Sequence, residues 1–288
     1  MDQRIIQLYD DFTHGAISRR AFLDRLAALA GGAAAATALL SALQNDYARA
    51  QTIAEDDSRI TTEMVEVPGV QGLRGYLAKP RAGGRHPAVL VIHENRGLNP
   101  HVRDVTRRFA AEGFLALGLD YLSPIGGTPA DEDKAREMIG TLKPPETVAS
   151  SRAAVAHLKG RPDATGRVGA VGFCWGGLQV NLLATAEPTL DAGVAYYGRQ
   201  PPADAVANIR APLLLHYAEL DPGVNAGIAA YEAALKAAGK EYELHMYPGV
   251  NHAFNNDTGS RYDKAAADLA WGRTLAFFRK HLGPASAT

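Results

Sequence analysis

The hydrophobic positions of this chain fall into short unbroken runs separated by longer stretches of helical period. Residues 88–92, 114–119, 168–173, 192–197 and 212–217 are apolar almost throughout. A strand with no polar face is one covered on both sides, as in a parallel sheet packed between layers of helix. Residues 61–67 and 73–79 alternate instead, and Pro68-Gly69-Val70-Gln71-Gly72 between them predicts a hairpin. Residues 242–247 alternate again. Helical patterns fill the intervals: 101–112, stopped by Gly113, then a charged segment near 131–139, then 146–159, 177–186 and 221–238. A final long amphipathic stretch at 261–281 carries Trp271, Phe277 and Phe278. Residues 51–60 are polar and predict a flexible lead-in. About eight strands alternate with helices, without internal repeat or linker. That pattern predicts one α/β domain over residues 51–288, a mostly parallel sheet with helices on both faces.

The first fifty residues follow a different pattern. Ser18-Arg19-Arg20-Ala21-Phe22-Leu23 precedes an uncharged run at 26–43 that is nearly all Ala, Leu and Gly, and Ala48-Arg49-Ala50 follows. Polar start, apolar core and small-residue site come in the order of a secretory signal, and the paired arginines with Phe22 and Leu23 resemble a bacterial twin-arginine signal. The expectation is a leader over residues 1–50, cut before Gln51, and export in folded form to the periplasm. The chain stays cytoplasmic if the signal is not used. The run is poor in large side chains, so no stable membrane span is expected after cleavage. The competing reading is an Ala-rich helix that belongs to the fold.

Composition narrows the function classes. At 47% hydrophobic, 21% charged and a net charge of -1, the chain has no basic excess for nucleic acid. A single cysteine permits no internal disulfide and leaves the redox compartment open. His93-Glu94 is not continued into H-E-x-x-H, and no cysteine pair or carboxylate cluster suggests a metal. The glycines of 166–172 lack both the dinucleotide and the phosphate-loop patterns. No cofactor is expected.

The lone cysteine sits where chemistry is expected. Gly172-Phe173-Cys174-Trp175-Gly176 has the spacing of a nucleophile elbow, a strained strand-to-helix turn whose glycines let backbone segments approach closely. Glu94, Cys174, Asp221 and His252 all fall at carboxyl ends of expected strands, where an open parallel sheet gathers its ligands. Nucleophile, acid and histidine occur in the chain order of a hydrolase on this topology. A thiol must lose its proton to attack, an imidazole can take it, and a carboxylate fixes the imidazole's tautomer. The Trp175 backbone N–H and a second from Asn95 are the expected oxyanion donors. Each residue also has a plain structural reading: Cys174 as an inert buried thiol, Asp221-Pro222 as a helix start, His252 as a loop histidine. His14, His86, His101, His157, His216, His245 and His281 lack a motif.

Residues 60–283 resemble the dienelactone hydrolase (carboxymethylenebutenolidase) family of α/β-hydrolases. The resemblance is carried by His93-Glu94-Asn95-Arg96-Gly97, Asp120-Tyr121, Gly172-Phe-Cys-Trp-Gly-Gly177, Ala218-Glu-Leu-Asp221 and His252-Ala-Phe254. It implies a triad of Cys174, His252 and Asp221, with Glu94 touching the resting thiol and helping to produce the thiolate. It also implies a small-molecule ester or lactone substrate opened through a thioester on Cys174. Family members that cleave dienelactone hold the substrate carboxylate with arginines, one of them a turn after the histidine. That position is Asn256 here, so Arg96, Arg261 and Tyr121 are the expected substrate contacts, with Arg136 and Arg199 as further cations. Other acyl hydrolysis, as by a thioesterase or peptidase, and a non-enzymatic thiol protein on the same fold are the alternatives.

Overall fold

The structure, a computed structural model, describes residues 2–284. Its centre is an eight-stranded sheet in the order β1-β2-β4-β3-β5-β6-β7-β8. The strands are β1 (Ile60–Glu66), β2 (Arg74–Pro80), β3 (His86–Ile92), β4 (Leu115–Asp120), β5 (Ala164–Phe173), β6 (Ala192–Tyr196), β7 (Leu213–Leu220) and β8 (Tyr242–Asn251). β1 and β2 form the expected hairpin, β2 pairs antiparallel with β4, and every later pairing is parallel.

Successive side chains of a strand point to opposite faces, and β3 feeds two separate cores. Val89 and Val91 pack on one side with Val105 and Phe109 and with Phe277 and Phe278. Ala88, Leu90 and Ile92 pack on the other with Val155, Leu158, Val180 and Leu183. The helices that supply these residues are α4 (Pro100–Ala111), α6 (Pro144–Gly160), α7 (Trp175–Ala186) and α10 (Lys264–Leu282). Each fully buried Phe or Leu contributes on the order of 2 kcal/mol, which is why both faces of the sheet are apolar. α5 (Glu132–Thr141) lies on the loop side. The helix expected over 221–238 is two, α8 (Pro222–Asn225) and α9 (Ile228–Ala237), broken at Gly227.

Residues 2–50 fold into α1 (Gln3–Thr13), α2 (Arg19–Ala30) and α3 (Ala33–Leu43). They bury a small core of their own from Tyr9, Phe12, Phe22, Leu26 and Leu43. Phe12 and Phe22 stack with centroids 4.7 Å apart. No single described helix is long and apolar enough to cross a membrane; α2 and the helical segment after it pass that test only as a pair bent by 112°. Residues 51–60 are pinned, contrary to the flexible lead-in that their polarity predicted. The Thr52 and Ile53 N–H groups donate to the Asp104 carboxylate at 3.2 and 2.9 Å, and Arg107 Nε donates to the Ile53 carbonyl.

Candidate active site

The turn between β5 and α7 is built as an elbow. Cys174 lies at φ 55°, ψ -113°, a conformation costly for any residue with a Cβ. Its neighbours must yield room for it. A Cβ on Gly172 would come within 2.1 Å of the Gly176 carbonyl oxygen, and one on Gly176 within 2.4 Å of the Ile92 carbonyl oxygen. Glycine is required at both by close approach of backbone to backbone. Cys174 thereby projects from the carboxyl edge of the sheet, and Trp175, the first residue of α7, has one of the N–H groups that a helix start leaves unpaired.

Strand ends bring the other groups to the thiol. Asp221 closes the turn after β7 and caps α8, accepting from the Val224 N–H. Its Oδ2 also accepts from His252 Nδ1 at 2.6 Å, across the loop after β8. Asp221 and His252 are both buried. Burial alone would push the His252 imidazole down, but Cys174 and the Asp221 carboxylate outweigh it and hold it well above its usual 6.5. Burial raises the Cys174 thiol, and the His252 and His14 imidazoles outweigh that in turn and bring it to about 6. Burial also raises Asp221, and His252 more than compensates, leaving it below 3.8. The arrangement favours a thiolate facing an imidazolium at neutral pH.

Glu94 sits beyond β3, buried, with Oε2 accepting from Asn256 Nδ2 at 2.9 Å and Oε1 without a partner. Asn256, a turn after His252, therefore serves as the Glu94 partner. The hydrogen bond of Cys174 Sγ goes to His14 Nε2, at 3.5 Å. His14 had no sequence motif to mark it. It follows α1, and its Nε2 also lies 3.2 Å from His252 Nε2.

These groups open onto a cavity of about 430 Å³, within the range of small-molecule sites. Asn95, Trp175, Tyr197 and His14 line it with Cys174 and His252, and its cations are Arg136 and Arg199. The three expected substrate contacts do not reach it, each for a physical reason. Arg96 is buried against Glu132 (2.9 Å) and the Tyr9 hydroxyl (3.0 Å). Arg261 is paired with Asp10 and lies over the Tyr9 ring. The Tyr121 hydroxyl is bonded to Ser151 Oγ at 2.6 Å, and its ring meets Trp175 edge-on. Arg136 donates to the Phe12 carbonyl and stacks on its ring. Arg199 is exposed at the rim.

Comparison with known proteins fits this arrangement. The family model described as "Dienelactone hydrolase family" matches residues 73–282, and one described as "YqhI-like" matches residues 1–31. A protein of Methylorubrum extorquens described as "Putative carboxymethylenebutenolidase" is 33% identical over 246 residues, covering 80% of this chain and 84% of its own. One from Bradyrhizobium, "Probable 2-oxo-3-(5-oxofuran-2-ylidene)propanoate lactonase", is 34% identical over 221 residues, 72% of this chain and 89% of its own. The crystal structure of a "Putative Dienelactone Hydrolase" from Klebsiella pneumoniae superposes with a TM-score of 0.69 at 29% identity, covering 77% of this chain and 99% of that one. The chain belongs to the dienelactone hydrolase family, enzymes that hydrolyse ester and lactone bonds.

Proposed function

We propose that this hydrolase works through a thioester on Cys174, with His252 and Asp221 completing a triad. The observation that carries the reading is the 2.6 Å bond between His252 Nδ1 and Asp221 beside a thiol brought to about 6. The thiolate attacks the acyl carbon of the ester or lactone, and the developing oxyanion is met by the N–H groups of Trp175 and Asn95. As the carbon–oxygen bond breaks, His252 passes its proton to the leaving oxygen; in a lactone this opens the ring. Water then attacks the thioester with His252 as base, and the acid leaves while Cys174 recovers as the thiolate. Glu94, held by Asn256, places its carboxyl beside the site. Arg199, exposed at the rim, is a cation suited to a substrate carboxylate. Incubating the protein with a panel of esters and lactones, then digesting it for mass spectrometry, tests the scheme. An acyl adduct on the Cys174 peptide is expected; turnover retained by Cys174→Ala would overturn it.

We also propose export by a twin-arginine route. Such a route carries folded proteins, which suits a leader already packed on the domain, and a cut before Gln51 would remove His14 with it. Arg19→Lys with Arg20→Lys should retain the chain in the cytoplasmic fraction. Equal recovery of both forms from the periplasm would argue against the route.

A further inference from the structure

The contacts around His14 pose a chemical problem. Its Nδ1 lies 2.8 Å from the Asp10 carbonyl, which can only accept, so Nδ1 carries the hydrogen. His252 Nδ1 likewise faces the Asp221 carboxylate. Both imidazoles therefore turn Nε2 toward Cys174, and the two Nε2 atoms stand 3.2 Å apart with Sγ 3.5 Å from that of His14. The three atoms all lie within 4.8 Å of one another. Three electron-pair donors converge on one point, and bare lone pairs at that distance repel. A proton on His252 Nε2 relieves this, and a metal ion in its place would do so as well.

The two spacings measured from His14 Nε2 match one candidate. Zinc–nitrogen bonds of about 2.05 Å and a zinc–sulfur bond of about 2.3 Å at tetrahedral angles put the nitrogens about 3.3 Å apart and nitrogen and sulfur about 3.6 Å apart. The outer nitrogens are already held by a carbonyl and a carboxylate, the arrangement that orients metal-bound imidazoles. Thiolate with two imidazoles also selects zinc over magnesium or calcium, which prefer oxygen.

The mount is firm as well. His14 stands on a turn fixed to the domain by bonds from Asn95 Nδ2 to the Thr13 carbonyl (2.7 Å) and from Arg136 Nη1 to the Phe12 carbonyl (2.9 Å). Pairs between Asp10 and Arg261 and between Arg19 and Asp133 hold the helices on either side. His14 itself is solvent-exposed while Cys174 and His252 are buried, so an ion has a path in from the rim.

We propose that in the chain that retains residues 1–50, His14 Nε2, Cys174 Sγ and His252 Nε2 bind a zinc ion, leaving its fourth position to water from the cavity. Zinc takes the place of the proton shared by the three groups, and that proton leaves to solvent. The bound thiolate can no longer attack, so the metal masks the nucleophile until it is withdrawn. The masking of hydrolysis rests on the thioester scheme above; the binding and the masking of the thiol do not.

The test uses metal-free protein whose mass shows residues 1–50 intact, and reads binding and alkylation without any substrate. Zinc titrated against a chromophoric chelator should bind one to one. Cobalt should give the visible bands of a tetrahedral site with a thiolate charge-transfer band that Cys174→Ser abolishes. One equivalent of zinc should slow iodoacetamide labelling of Cys174 at least tenfold, and EDTA should restore it. His14→Ala and His14→Gln should each weaken zinc binding more than a hundredfold, beyond the roughly ten- to hundredfold lost with a supporting contact. Octahedral cobalt spectra, unchanged affinity in both folded His14 variants, or alkylation indifferent to zinc would each overturn the site and leave a proton as its occupant. An absence of esterase activity with zinc protection intact would instead count against the thioester scheme.

Discussion

His252→Ala should move the reactivity of Cys174 in a way that can be worked out beforehand. With the thiol near 6, about 90% is thiolate at pH 7, whereas at its ordinary value of 9.0 the share is about 1%. The thiolate is the reacting form, so the sign is fixed: labelling rises with pH through the thiol's own value and levels off above it. A full return to 9.0 would cut the reactive fraction roughly ninetyfold. A more basic thiolate is also a better nucleophile, by roughly 16- to 30-fold over three units with a Brønsted slope of 0.4–0.5. The net effect at pH 7 is a fall of only about threefold to sixfold, too small to be diagnostic alone. The pH of the inflection is the diagnostic quantity. Burial persists in the variant and only His14 still opposes it, so the inflection should climb from about 6 toward or beyond the ordinary thiol range, with a faster plateau above it. Iodoacetamide labelling of metal-free protein followed by mass spectrometry from pH 5 to about 10 would read both. A wild-type inflection above 8, or one left near 6 by the substitution, would refute the electrostatic account.

Asp221→Asn keeps the shape of the cap on α8 but loses the charge that fixes His252 Nδ1, and kcat/KM should fall on the order of a thousandfold or more with little change in KM. A loss under tenfold would mean that Glu94 or another acid serves His252. Gly176→Ala places a methyl 2.4 Å from the Ile92 carbonyl oxygen; overpacking of this kind costs about 1–3 kcal/mol, read as a Tm several degrees lower. An unchanged Tm would mean that the elbow yields where the packing says it cannot. Arg199→Ala should raise KM about fivefold for substrates bearing a carboxylate, the value of roughly 1 kcal/mol for an exposed charge contact, and leave neutral esters within twofold. Equal effects on both classes would remove Arg199 as a carboxylate contact.

The layers of this fold were legible because β3 to β7 are covered on both sides, and that condition writes an apolar run into the sequence. Element ends were less so. β5 begins at Ala164, four residues before its apolar run, because Thr165 and Arg167 extend it at the edge of the covered region. β8 lies at the sheet edge and runs on through Pro248 and Gly249 to Asn251, four residues past its alternating stretch; an edge strand has one side free of pairing and tolerates a proline. Cys174, Asp221 and His252 could be found because topology gathers strand ends, and strand ends can be counted along a sequence. Arg96 and Arg261 illustrate the limit of that reasoning. Both lie within ten residues of a site position, yet Glu132 and Asp10 take up their charge, and a partner contributed by a distant segment leaves no periodic trace.

The N-terminal segment presents the same limit at larger scale. One pattern of arginines and small apolar residues serves both as a passport for export and as a helical cap, because each needs an uncharged Ala/Leu stretch behind a polar start. What separates the two is the set of residues that the stretch meets. A leader read only by export machinery has no need of a phenylalanine pair stacked at 4.7 Å, nor of a histidine whose ring is oriented by a carbonyl and aimed at the nucleophile. The small core around Phe22 buries too little on its own to hold three helices, so the cap depends on its contacts with Asn95, Arg136 and Arg261. Two of them, Asn95 and Arg136, line the cavity beside the thiol. While residues 1–50 remain attached, the site therefore has four titratable groups around one thiol, and removal of the segment returns it to the three that strand ends provide.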